Sequence, residues 1–284
     1  MTMSALSEYT GSFMSRDDIT IFYRKYQANS ERARMVISHG LGEHSGRYGT
    51  VIGRLLPKGV TIWVPDHRGH GRSDGPRGHV RAFDEYITDL KKLVTMARKD
   101  LPEGEKCFLL GHSMGGLIAL RCAQRVPGMI DGVIVSSPTL GLTAKIPVIK
   151  STLGKFMSSL WPGMTFRNEM DTAKLSHDEA VVQAYTKDSL VHDRVSARWF
   201  TEFLHAMETV NHQASKIEVP ILMQVAGDDY LVDAHASKAL YERLTLEDKT
   251  LHLYDGLYHE VYNEKEERRE TVLTDLEDWL EMHI

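Results

Sequence analysis

Residues 107–116 read Cys107-Phe108-Leu109-Leu110-Gly111-His112-Ser113-Met114-Gly115-Gly116. The first five are short and apolar, as a buried strand requires, and 114–126 behind them read as a helix. Between the two, Gly111-His112-Ser113-Met114-Gly115 fits the pattern G-x-S-x-G. A tight strand-to-helix turn holds the central serine in a strained backbone conformation, and a side chain at either glycine would crowd its neighbours. The turn lifts the hydroxyl above the sheet edge at the start of a helix, whose dipole favours developing negative charge. Five residues match easily by chance; the strand before, the helix after and Gly116 alongside give the match its weight.

Outward from this turn, strand-like and helix-like text alternates. Residues 19–26 and 34–39 read as strands, the second running into the Gly-rich loop His39-Gly40-Leu41-Gly42. Residues 60–65 are another apolar run, ending in Asp66-His67-Arg68-Gly69-His70-Gly71-Arg72-Ser73. Phe83, Tyr86, Ile87, Leu90 and Leu93 recur at helical spacing through 82–100. Residues 132–136, 221–226 and 250–254 predict further strands. The closing stretch 264–283 places Val272, Leu276, Trp279 and Leu280 on one helical face. Strands separated by helices predict an α/β fold with a mostly parallel central sheet covered on both faces. Residues 139–216 break the rhythm, show no convincing strand and are read as a helical cap inserted into a core made of 1–138 and 217–284. One core with one insertion accounts for all 284 residues.

A serine hydroxyl is a weak nucleophile at neutral pH and needs an adjacent base. Where a serine sits on such a turn, the acid and then the histidine follow it in the chain. The strand 221–226 runs into Gly227-Asp228-Asp229-Tyr230-Leu231-Val232-Asp233. A carboxylate just past a strand end reaches the catalytic edge; Asp229 is preferred, Asp228 competes, and Asp233 fits better as a cap for a helix starting near Ala234. After the last strand, Gly256-Leu257-Tyr258-His259-Glu260 places His259 in a loop before the final helix. Of the 14 histidines, only His259 has both the right order and the right loop; His252 lies within the strand. A tetrahedral intermediate needs two N–H donors, for which the amides of Met114 and Leu41 are the candidates. His39 is read as structural, packed under the Gly-rich loop.

His39-Gly40-Leu41-Gly42-Glu43-His44-Ser45-Gly46-Arg47-Tyr48, with Gly111–Gly116, the 66–73 loop and the segment around His259, closely resembles the monoacylglycerol lipases and the related lysophospholipase-like α/β-hydrolases. The resemblance covers nearly the whole chain outside the cap. It implies the α/β-hydrolase fold, Ser113, Asp229 and His259 as a triad, and Leu41 and Met114 as oxyanion donors. It also implies that Glu43 and Arg47 lie near the glycerol end of a substrate. The activity it implies is hydrolysis of monoacylglycerols to fatty acid and glycerol through an acyl-enzyme, with no cofactor. A lysophospholipase or a general short-chain carboxylesterase would share the triad. A binding protein on the same scaffold would be expected to lose a triad member, and all three positions hold suitable residues.

Composition limits the remaining classes. Hydrophobic residues make up 42% and charged residues 26%, with 39 acidic against 34 basic, so a nucleic-acid partner, which favours a basic face, is not expected. Cys107 and Cys122 lie in apolar stretches and read as buried hydrophobes rather than a disulfide or a redox pair. His67, His70 and His79 lack a carboxylate spacing that would complete a metal site. Asp66 and Arg68 are expected to form an ion pair that fixes their loop. With no charged-then-apolar leader and no apolar run of membrane-spanning length, a cytoplasmic protein is expected, peripheral at membranes if the cap touches them. In the cap, Ile149, Leu153, Phe156, Met157 and Leu160 form an apolar stripe beside Lys150 and Lys155. Packing inside the cap is the plainer reading; Phe156 and Leu160 lining an acyl channel, or a lipid surface, is the functional one. Oligomeric state is left open.

Overall fold

A computed structural model describes residues 8–143 and 157–284. Eight strands form one sheet in the order β1-β2-β4-β3-β5-β6-β9-β10: β1 (Glu8–Met14), β2 (Thr20–Tyr26), β3 (Ala33–Ser38), β4 (Val60–Pro65), β5 (Lys106–His112), β6 (Gly132–Ser136), β9 (Ile221–Ala226) and β10 (Lys249–Tyr254). The pairs β1/β2 and β2/β4 are antiparallel, and every pair from β4 to β10 is parallel. The fold is that of an α/β-hydrolase.

The central strands are apolar because both of their faces are covered. Along β3 and β5, successive side chains enter opposite layers: Val36 and Leu109 join one buried cluster, Met35, Ile37, Phe108 and Leu110 the other. The first layer is closed by α2 (Asp84–Arg98) and α3 (Met114–Arg125) through Tyr86, Leu90, Leu93, Leu117 and Leu120. The second is closed by α1 (Gly49–Leu55) and the C-terminal helix α7 (Glu266–His283) through Ile52, Leu55, Val272, Leu276 and Trp279. The parallel strands all end at one edge, so the loops after β3, β4, β5, β6, β9 and β10 meet there. This is where open parallel sheets place their ligands.

Between β6 and β9 lie a short antiparallel ribbon, β7 (Thr165–Arg167) with β8 (Arg194–Ser196), and the helices α4 (Glu179–Lys187) and α5 (Ala197–His212). The ribbon corrects the expectation of a strandless insertion; at three residues per strand it carries no readable alternation. Helix α5 buries Trp199, Phe203, Ala206 and Val210 in the same cluster as α2 and α3, so this part of the segment packs as core. A last helix, α6 (Ala234–Arg243), lies between β9 and β10.

Two elements lie outside the sequence expectation. β1 is an exposed edge strand with one buried residue among seven. α1 contains Gly49 and Gly53, weak helix formers, and forms because Val51, Ile52 and Leu55 are buried beneath it. Among the described residues no helix is long and apolar enough to cross a membrane.

Candidate active site

β5 delivers Ser113 to the sheet edge with φ 54° and ψ −120°, a conformation that costs a non-glycine residue on the order of 1–3 kcal/mol. The neighbouring glycines show why it is tolerated here. A Cβ on Gly111 would lie 2.3 Å from the Gly115 carbonyl oxygen, and one on Gly115 would lie 2.0 Å from that of Ser38. The strand and helix therefore meet backbone to backbone, closer than any side chain permits. The Ser113 amide donates to Ser136 O at 3.0 Å, and its carbonyl accepts from Leu117, which locks the turn. Among the described residues Ser113 Oγ has Thr139 Oγ1 as its hydrogen-bond partner, at 3.4 Å.

The loop after β10 brings His259 to the same edge, fully covered, with Nδ1 donating to Asp229 Oδ2 at 2.7 Å. The other oxygen of that carboxylate accepts from the amides of Leu231 and Val232 at 2.9 and 3.0 Å. Asp229 is thereby fixed on both sides, while Asp228 is exposed. Burial opposes the charge on Asp229, but the imidazole and the two amides hold its carboxyl below the ordinary range. Burial likewise opposes a charge on His259, and Asp229, Glu260 and Glu43 raise it above the usual histidine value. With Nδ1 given to the aspartate, Nε2 is left to take a proton. His112 packs its ring 4.8 Å from that of His259; burial, with His259 beside it, lowers it to about 4, so it stays neutral. A hydroxyl, a neutral imidazole and a fixed carboxylate in this order are the parts of nucleophilic acyl transfer. The hydroxyl–imidazole hydrogen bond is absent among the described residues; such bonds are often loose before substrate arrives.

The loop after β3 lies against the serine. A Cβ on Gly40 would stand 3.3 Å from Ser113 Cβ. Among the described residues neither the Leu41 nor the Met114 amide donates to a protein acceptor. Glu43 and Arg47 are engaged with other protein groups rather than presented to open space. Glu43 is buried and accepts from Gly40 N, the Tyr48 hydroxyl and Arg47, and Arg47 makes a bidentate pair with Glu260. Burial opposes the charge on Glu43, but Arg47, His112 and His39 bring its carboxyl down to about 2. With His112 and Tyr262 these groups line a cavity of about 10 Å³, at the lower bound for one water.

The inserted segment grips both loops. The Gly42 carbonyl accepts from His192 N at 2.9 Å, and His44 Nε2 donates to Asp188 Oδ2 at 2.8 Å. Opposite them, Leu175 O accepts from the Glu260 amide and His177 pairs with Glu264. Leu160 is exposed, with Trp161, Met164 and Phe166 exposed beside it. Phe156, Ile149, Leu153, Lys150 and Lys155 lie outside the described residues.

The expected Asp66–Arg68 ion pair is not formed. Asp66 turns to one side of its loop and accepts from the amides of Ser45 and Arg72, each at 2.7 Å. Arg68 turns to the other and pairs with Asp89, Asp17 and Glu85. Two buried amides with no other acceptor claim the carboxylate first. His39 is buried, with Nε2 accepting from His67 N. Burial pushes the thiols of Cys107 and Cys122 up to about 12. Sequence reasoning missed Glu260 and Thr139; the charge beside His259 was the available signal for the first, and the second gave none.

Residues 29–266 match the hydrolase family described as serine aminopeptidase, S33. A monoacylglycerol lipase from Mycolicibacterium smegmatis is 33% identical over the full length of both chains. Phospholipase YtpA from Bacillus subtilis is 35% identical, covering 85% of this chain and 93% of its own. The crystal structure of a monoacylglycerol lipase from Paleococcus ferrophilus superposes with a TM-score of 0.83 at 33% identity, over 98% of this chain and 100% of that one.

Proposed function

We propose that this chain, which belongs to the serine hydrolase family described as serine aminopeptidase, S33, and is a serine ester hydrolase, cleaves monoacylglycerols to fatty acid and glycerol. Ser113 attacks the ester carbonyl, and His259 Nε2 takes its proton and passes it to the leaving alcohol. Asp229 holds the imidazole in the right tautomer and stabilises its charged form. The amides of Leu41 and Met114 receive the negative charge of the tetrahedral intermediate. Water, deprotonated by His259, then clears the acyl-enzyme. The observation that carries this reading is the fixed Asp229–His259 pair at the same sheet edge as the strained Ser113. The substrate class rests on likeness to relatives named monoacylglycerol lipases.

Lysophospholipid hydrolysis is the second reading, favoured by the identity to phospholipase YtpA; a general short-chain carboxylesterase would use the same groups. Turnover of monoacylglycerols, lysophospholipids and p-nitrophenyl esters of several chain lengths distinguishes the three. Monoacylglycerols should give the highest kcat/KM; a higher value on lysophospholipids would move the assignment.

Residues 139–216 serve as the cap, which carries exposed Leu160, Trp161, Met164 and Phe166. A cluster of this kind supports transient contact with a lipid surface by an otherwise cytoplasmic protein.

A further inference from the structure

We propose that Glu43 is a positioning residue: its buried carboxylate anchors the Gly40 N–H, one peptide unit before the Leu41 N–H that faces the oxyanion, and through Arg47 it ties that loop to the one carrying His259. This rests on the reading of Leu41 as an oxyanion donor.

The loop 40–42 is held at both ends, and between them Gly40 O accepts from His39 Nδ1 at 2.8 Å while the Leu41 N–H stays undirected to any protein acceptor among the described residues. At one end the Gly40 amide donates to Glu43 Oε1 at 2.5 Å, and the Tyr48 hydroxyl donates to the same oxygen at 2.8 Å. At the other, Gly42 O accepts from His192 N, and a Cβ on Gly42 would stand 2.3 Å from His192 O. Between these anchors lies the Leu41 amide. Gly40 itself is sandwiched, since a Cβ there would lie 3.0 Å from Glu43 Oε1 and 3.3 Å from Ser113 Cβ. An oxyanion donor helps only if it is aimed before charge develops, because reorienting a peptide during reaction forfeits the gain. Glu43 contributes to that aim by fixing the Gly40 N–H, beside the bond from His39 to Gly40 O.

A bare carboxylate this near a developing oxyanion would oppose it. Arg47 removes the conflict. It donates to Glu43 Oε2 at 2.7 Å and to both oxygens of Glu260 at 2.7 and 2.8 Å, with its guanidinium 4.7 Å over the Tyr185 ring. Glu260 follows His259 in the chain, so one ion-pair array joins the two loops that must meet at the ester carbonyl. A direct contact with the leaving alcohol would need free carboxylate positions and room. Glu43 already accepts three bonds and faces a cavity of about 10 Å³.

The test uses the full chain with Glu43→Ala and Glu43→Gln. In the alanine variant kcat should fall on the order of 10²–10³-fold, as for loss of an oxyanion donor, with KM within a few-fold of wild type. The inhibition constant of a trifluoromethyl ketone, which forms the tetrahedral adduct, should rise by the same factor. That of a non-hydrolysable monoalkylglycerol ether should not change. The glutamine variant keeps an acceptor for Gly40 and should lose less than about tenfold. His259 faces Asp229, Glu260, Glu43 and His112, so loss of the Glu43 charge should move the acidic limb of kcat/KM to lower pH. A folded alanine variant that binds the ketone as tightly as wild type overturns the proposal. If alanine does not fold, the glutamine variant decides: wild-type kcat with an unmoved limb, or a loss beyond about a hundredfold, overturns it. Ser113 is titrated in parallel with a fluorophosphonate. One label per chain with unaffected Glu43 variants removes only the positioning role; no label removes the serine mechanism beneath it.

Discussion

Ser113 occupies a backbone conformation that only a tight turn between strand and helix enforces, and alanine fits that turn as well as serine does. Ser113→Ala should therefore fold normally, with an unchanged melting temperature, and lose on the order of 10⁵–10⁶ in kcat; a tenth of wild-type activity in a preparation free of other esterases would refute the nucleophile. The two neighbouring aspartates should separate cleanly. Asp229→Asn leaves an amide that can hold the wrong imidazole tautomer, a loss on the order of 10⁴ in kcat. Asp228→Asn, at an exposed carboxylate, should stay within a few-fold. The pH dependence follows from the charges around His259. Its acidic partners raise its pKa, and the base works only when neutral, so kcat/KM climbs as pH rises through that value. Glu260→Gln removes one negative neighbour, lowers the histidine pKa and should shift the acidic limb of kcat/KM to lower pH; a shift upward would contradict the electrostatics. Ser113, Asp229 and His259 were nameable from sequence because a local motif and a chain order identify them. The bond from the Gly40 amide to Glu43 was not legible, because the carboxylate's partner is a backbone amide three residues back, and only the path of the loop brings the two together.

Helix α3 meets the ends of β3 and β5 at backbone contacts that admit no side chain, and stability at the level of elements depends on them. Gly115→Ala places a methyl group against Ser38 O, and overpacking of a rigid backbone contact costs about 1–3 kcal/mol or more. The expected result is a lower denaturation midpoint in urea with an unchanged slope; an unchanged midpoint would mean the strand and helix separate easily. The exposed residues of the inserted segment make a separate claim. Trp161→Asp should weaken sedimentation with phospholipid vesicles several-fold and leave kcat/KM on a water-soluble acetate ester within about twofold of wild type. Equal vesicle binding by both proteins would show that this surface does not meet lipid. Long elements were legible because burial on both faces writes continuous apolar runs, as in β4, β6 and β9. The short ones were not: β7 and β8 are three residues each, and α1 is held by burial against its own glycines.

At the scale of the molecule, the sheet order and the side-chain layers put six loops at one edge, and the inserted segment clasps two of them through Asp188, His192, Leu175 and His177. The inserted segment is thereby tied both to the loop after β3 and to the loop carrying His259. The sheet's parallel centre followed from the alternation of strands and helices. The clasp did not, since it joins residues more than 80 positions apart through polar contacts that leave no periodic trace. The most direct test of a serine mechanism on single-chain lipid esters is peptide mass mapping of the chain after fluorophosphonate treatment, with and without a monoacylglycerol present. One adduct per chain on the peptide holding Ser113, formed more slowly when the monoacylglycerol is near its KM and absent from Ser113→Ala, is the predicted result. An adduct on another residue, or labelling of Ser113 that no monoacylglycerol slows, would contradict it.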